Sequence, residues 1–142
     1  MRNWTVATLL ALMSWGLVSG QTRPQRPISQ VQVARQFLLA VLRGDYKSAY
    51  GRLAPEVRQG MSITRFQAAA RPLYARGQQR GTAIELYKLG FFLMETGGSK
   101  GFVAFSFPAD SMLKHPPEWL EVTFRDTTTR QVLGFQLYRP KR

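Results

Sequence analysis

Asp110, Ser111 and His115 crowd into one short stretch, and these are the residue types of nucleophilic acyl transfer. A working triad draws its members from separate elements that hold each at a fixed angle. Three members inside one loop bounded by Pro108 and Pro117 do not meet that demand, and no Gly-x-Ser-x-Gly elbow raises the serine. His115, beside Pro116, reads as an exposed loop residue. The remaining stock of reactive side chains is thin. The 142 residues include no cysteine, one histidine and eight Asp+Glu. A thiol nucleophile, a disulfide framework, a zinc knuckle and a lipid-bearing cysteine are therefore excluded. A histidine-based metal cluster within one chain is excluded too. Eight acids leave little material for carboxylate metal sites or paired-carboxylate catalysis. Neither a metal nor a cofactor is expected.

Arginine is what the chain has in excess. Twenty Lys+Arg against eight acids give a formal net charge of +12. Arg52, Arg58, Arg65, Arg71, Arg76 and Arg80 recur through the middle of the helical half, and Arg43 and Lys47 precede them. Such a field attracts anionic envelope polymers or lipid headgroups. Guanidinium groups suit bidentate contact with phosphate or carboxylate. No recognition-helix signature, aromatic RNA-binding motif or glycine-rich phosphate loop accompanies them, which argues against sequence-specific nucleic-acid binding.

The elements that must position these residues can be placed by pattern. Met1 to Gly20 has a basic start at Arg2, an apolar run from Thr5 to Val18, and small residues at Val18-Ser19-Gly20. This is the form of a secretory signal peptide, with Gln21 as the first mature residue, and implies export to the periplasm or outside the cell. Residues 21–28 form a basic, proline-containing linker. Ser29 and Gln32 make a capping box, opening a helix that Gly44 stops. Asp45 caps a short helix over Tyr46 to Leu53. Pro55 begins a further turn, and Ser62 caps a long helix kinked at Pro72 and closed by Gly77 to Gly81.

From Thr82 the period changes to two. Strands are expected over Thr82–Glu95 with a bulge at Gly90, Gly101–Phe107, Trp119–Asp126 and Gln131–Tyr138. Residues 140–142 are a basic tail. Three helices followed by four strands define an α+β domain, residues 29–139, with the helices packed on one face of a curved antiparallel meander.

The run Ala34-Arg35-Gln36-Phe37-Leu38, the bend Gly44-Asp45-Tyr46-Lys47-Ser48-Ala49-Tyr50, then Leu53-Ala54-Pro55 and Ser62 to Phe66 carry a family likeness. In these the chain resembles the nuclear-transport-factor-2-like superfamily, the cystatin-like α+β cone, over Ser29 to Tyr138. The resemblance implies a helix-covered bent sheet with a cone-shaped interior. It does not imply one activity, because the superfamily holds enzymes, assembly subunits and exported domains alike.

The cone makes Tyr46, Tyr50, Phe66, Tyr74, Tyr87 and Trp119 candidates for an apolar pocket. Glu85 shares a strand face with Tyr87, so it is the acid expected inside. Glu121 alternates with Leu120 and Val122, so it is expected in solvent. The leading expectation is a non-enzymatic binding domain. It would hold a small apolar ligand in the cone, or an anionic or protein envelope partner on its basic surface. An isomerase- or lyase-type enzyme using Glu85 with Tyr46 or Tyr50 is the alternative, and an interaction subunit of an envelope assembly is a third. Phe91, Phe92, Leu93 and Met94 give one strand two apolar faces, which points to a homodimer through the sheet.

Overall fold

The structure, a computed structural model, describes Gly20 and residues 28–141. The expected signal peptide and nearly all of the linker lie outside the described residues.

Local capping sets the first helix, α1 (Gln30–Leu42). Ser29 Oγ accepts from the Gln32 amide, and Gln32 Oε1 accepts from the Ser29 amide. One face of α1, with Val33, Ala34, Phe37, Leu38, Val41 and Leu42, is buried. Gly44 has φ +78°, the left-handed conformation that lets the chain reverse after α1. Asp45 then caps α2 (Tyr46–Tyr50) through the Ser48 amide. This helix is shorter than expected because residues 52–54 leave it to bond the last strand: Ala54 N donates to Val132 O and Val132 N to Arg52 O. Pro55 opens α3 (Pro55–Gly60) at the position where a missing amide costs nothing. Ser62 caps α4 (Ile63–Arg80). There are thus four helices among the described residues, not three.

Within the Gly77 to Gly81 segment expected to close the last helix, α4 continues through Gly77 to Arg80 and stops at Gly81, whose φ is +90°. Gly77 is buried for a packing reason. A Cβ there would sit 3.0 Å from both the carbonyl oxygen and Cδ2 of Leu42, so α1 and α4 approach closely here. Gly77→Val is expected to cost about 1–3 kcal/mol through overpacking, although glycine is the poorer helix former by up to ~1 kcal/mol. Thermal unfolding checks this; an unchanged or higher Tm would mean that the two helices separate freely.

The sheet is a four-stranded antiparallel meander in the order β1-β2-β3-β4. Its strands are β1 (Glu85–Leu93), β2 (Ser99–Ser106), β3 (Trp119–Phe124) and β4 (Val132–Tyr138). A 3-10 turn, Pro108–Asp110, interrupts the loop before β3. The β1–β2 register slips between Leu86 and Lys88, so the bulge lies at Tyr87 and not at Gly90. Gly90 pairs with Phe102 and leaves room for its ring, which a Cβ would meet at 3.1 Å.

Val103, Phe105, Leu120, Val122, Phe124 and Val132 join Phe37, Leu38, Leu42, Phe66 and Leu73 in one buried core. Trp119, Glu121 and Thr123 alternate onto the other face. The two sheet edges differ. The edge of β4 is partly closed by the parallel bridge between Leu53 and Val132. Among the described residues the β1 edge has no such partner, and β2 is its principal neighbour.

Candidate functional site

The seven pocket candidates do not converge. Tyr46, Tyr50, Phe66 and Tyr74 meet under the helices. Phe66 lies 6.4 Å from Tyr46, 5.7 Å from Tyr50, 6.1 Å from Phe37 and 5.5 Å from Phe135, centroid to centroid. Its side chain is fully buried, so it is core. The Tyr50 hydroxyl donates to the Met61 carbonyl at 2.7 Å and fastens α2 to the turn before α4. Phe37, Phe105, Phe107 and Phe124, all buried, also fill the space between helices and sheet. The concavity that Tyr46 borders, with Thr64, Gln67, Ala68 and Arg71, is an open groove on the outside of α4.

Tyr87 and Trp119 lie across the sheet from that cluster. There Trp119 stacks on Tyr138 at 4.4 Å, packs 5.4 Å from Tyr87, and carries the Lys88 ammonium 4.3 Å above its ring. Glu85 is exposed, contrary to expectation. Glu85 pairs with Ser106, which alternates with the core residue Phe105, and Tyr87 packs on Trp119, so the face that Glu85 and Tyr87 share is the one turned away from the helices. Glu121 corrects the opposite expectation: it is 5% exposed. Its carboxylate accepts from Trp119 Nε1 and Gln136 Nε2, each at 3.3 Å. The outer face is apolar enough around Trp119 to cover it.

The six arginines divide by role. Arg58, Arg65 and Arg71 are exposed. Arg52 borders a shallow groove with Arg43 and Asp45. Arg76 and Arg80 are committed internally, to an acid that the pattern did not single out. Glu118, 2% exposed, accepts from Arg76 Nε at 3.1 Å, Arg80 Nη1 at 2.8 Å and Arg139 Nε at 3.2 Å. Arg80 also lies 2.8 Å from Asp110 Oδ2 in an ion pair and 4.6 Å over the Phe107 ring. Burial pushes the Glu118 carboxyl up, but the hydrogen bonds from the three arginines outweigh it and hold the group below its usual range. This cluster ties the end of α4 to both ends of the last hairpin. Asp110 belongs to it, while Ser111 donates to the Pro108 carbonyl and His115 is exposed, so the three do not form a triad.

The least satisfied surface is β1. Leu86 is 43% exposed, Leu89 59%, Phe91 57%, Phe92 48%, Leu93 81% and the following Met94 41%. By register Leu89 and Phe91 stand on the helix side of the sheet, beside Val103 and Gly101, but extend past the helices' cover. Phe92 is on the other side, stacked on Phe102 at 4.7 Å. The double-faced apolar run at Phe91 to Met94 was legible in the sequence; that neither face is covered emerges only from the fold.

No group of His, Asp and Glu among the described residues has metal-holding geometry, and no described helix is long and apolar enough to cross a membrane. Compared with protein-family models, curated proteins and solved structures, the chain matches none significantly.

Proposed function

We propose that this chain is an exported, non-enzymatic interaction domain of a cell-envelope assembly, and that it docks a protein along β1. The carrying observation is an edge strand of nine residues that no other described element covers, with large exposed side chains on both faces. Exposed edges are ordinarily blunted by charge, proline or cover, and β1 has no proline and one lysine within it. A small-ligand role has less support, because Phe66 and its neighbours occupy the cone's interior. The isomerase-type alternative has less support too, because Glu85 is exposed. The nuclear-transport-factor-2-like likeness remains consistent with four helices on one face of an antiparallel meander.

A photoreactive residue placed at Phe91 or Leu93 in the native host is expected to capture protein. The same residue at Arg65 or Arg71, on the exposed side of α4, is expected to capture little. Capture confined to Arg65 and Arg71 would replace this proposal with a partner on the basic face.

A further inference from the structure

Resting on the docking surface proposed above, we infer that the occupant of the β1 edge is a second copy of this chain, paired antiparallel with Phe91 on the two-fold axis. Three observations point there. The first is backbone geometry. The Met94 amide donates to the Gly98 carbonyl, and the pairing continues as Phe92↔Lys100 and Gly90↔Phe102. In an antiparallel ladder bonded pairs alternate, so Phe92 and Gly90 bond β2 while Leu89, Phe91 and Leu93 turn their N–H and C=O groups to the open edge. An antiparallel strand is its own complement. With Phe91 opposite Phe91 of the other copy, Leu89 meets Leu93 twice, on the helix side of the sheet but past the helices' cover.

The second is charge. Beyond the bare apolar run, the hairpin carries Glu85 and Glu95 against Lys88 and Lys100, a balanced set in a chain of net charge +12. The net charge of the whole chain favours an anionic partner, and this balanced hairpin does not. In the stated register Lys88 stands opposite Met94 and Glu95 opposite Tyr87, so no like charges face one another across the pair. The third is area. Leu86, Leu89, Phe91, Phe92, Leu93 and Met94 together expose roughly 700 Å² per copy, which sets an upper bound of about 1,400 Å² for their burial in two copies, in the range of the ~1,200–2,000 Å² of stable complexes.

The absence of cysteine makes a direct test available. In the full chain, Phe91→Cys is expected to give a disulfide-linked dimer under mild oxidation. The Cα atoms of a bonded antiparallel pair stand about 5.5 Å apart, inside the disulfide range of roughly 4.4–6.8 Å. Arg65→Cys is expected to stay monomeric. Sedimentation of the wild type is expected to show a dimer that strengthens with added salt, because screening removes repulsion between the basic bodies. Leu93→Asp should lower the association constant at least tenfold with an unchanged circular dichroism spectrum, since that side chain is 81% exposed.

A monomeric wild type, a dimer weakened by salt, or a dimer that Phe91→Cys cannot cross-link would overturn the inference. Photocapture at Phe91 separates this failure from that of the docking surface. An adduct of two identical chains supports the inference, an adduct with a different protein rejects the copy but keeps the surface, and no adduct rejects both.

Discussion

Phe66→Ala is expected to destabilise the domain by about 3–5 kcal/mol, the usual cost of deleting a buried ring from a core that relaxes only in part. The ring is fully buried and contacts Phe37, Tyr46, Tyr50 and Phe135, so its loss leaves a hole bounded by α1, α2, α4 and β4. Set against a typical net stability of about 5–15 kcal/mol, this is a large fraction. Urea denaturation gives the value. The result separates two roles that aromatic residues in a cone-shaped fold can play. A ring that lined a ligand space would be removed at little cost to folding and at a large cost to ligand uptake. A loss below ~1 kcal/mol would therefore return Phe66 to the pocket and reopen the small-ligand role. Tyr74→Ala is the milder comparison, because Tyr74 is only partly buried.

Glu118→Gln should cost about 2–3 kcal/mol at neutral pH, near the lower end of the cost of breaking a buried ion pair. The discount arises because the abandoned arginines reach water: Arg76, Arg80 and Arg139 keep side-chain exposures of 29%, 20% and 60%. Arg139→Ala, at the exposed end of the cluster, should lose under ~1 kcal/mol. The pH dependence follows from the lowered carboxyl. A carboxyl more acidic folded than unfolded binds fewer protons in the native state. Its contribution is thus complete above the ordinary glutamate range and disappears as pH falls through the folded value. Asp45 and Asp126 are lowered as well, by hydrogen bonds from Ser48 and from Thr129 and Thr128 respectively, so the wild type loses stability in acid from several sites. Those sites are unchanged in the variant. The gap between wild type and Glu118→Gln should therefore hold constant from pH 7 down to the ordinary glutamate range and narrow below it, toward pH 3, in urea titrations. A gap that stays constant down to pH 3 would mean that Glu118 acts through packing alone.

Helix starts were legible in the sequence because caps are local: Ser29, Asp45 and Ser62 each bond an amide three residues on. The strand order was legible because short connections between alternating segments favour a meander. What escaped depends on distant neighbours. Gly77 resembles a helix terminator until Leu42 is seen against it. Glu121 resembles a solvent-facing acid until Trp119 and Gln136 close over it. Glu118 follows a double proline and has no local signal, since its arginines lie 42 and 38 residues earlier and 21 later. The candidate surface falls between these cases. Its apolar composition is local, but its exposure depends on where the helices end.

Several of the bonds that close this molecule wait for its last hairpin. Residues 52–54 find their partner at Val132, the Gln30 side chain donates to the Asp126 carbonyl, and Arg139 reaches Glu118 only after β4 is in place. Contacts between remote segments make folding slow. Synthesis from the N-terminus supplies the helices long before the strand that anchors them. A growing chain of this kind lacks these closing contacts until β4 has been made, so its helices precede the strand that fixes them.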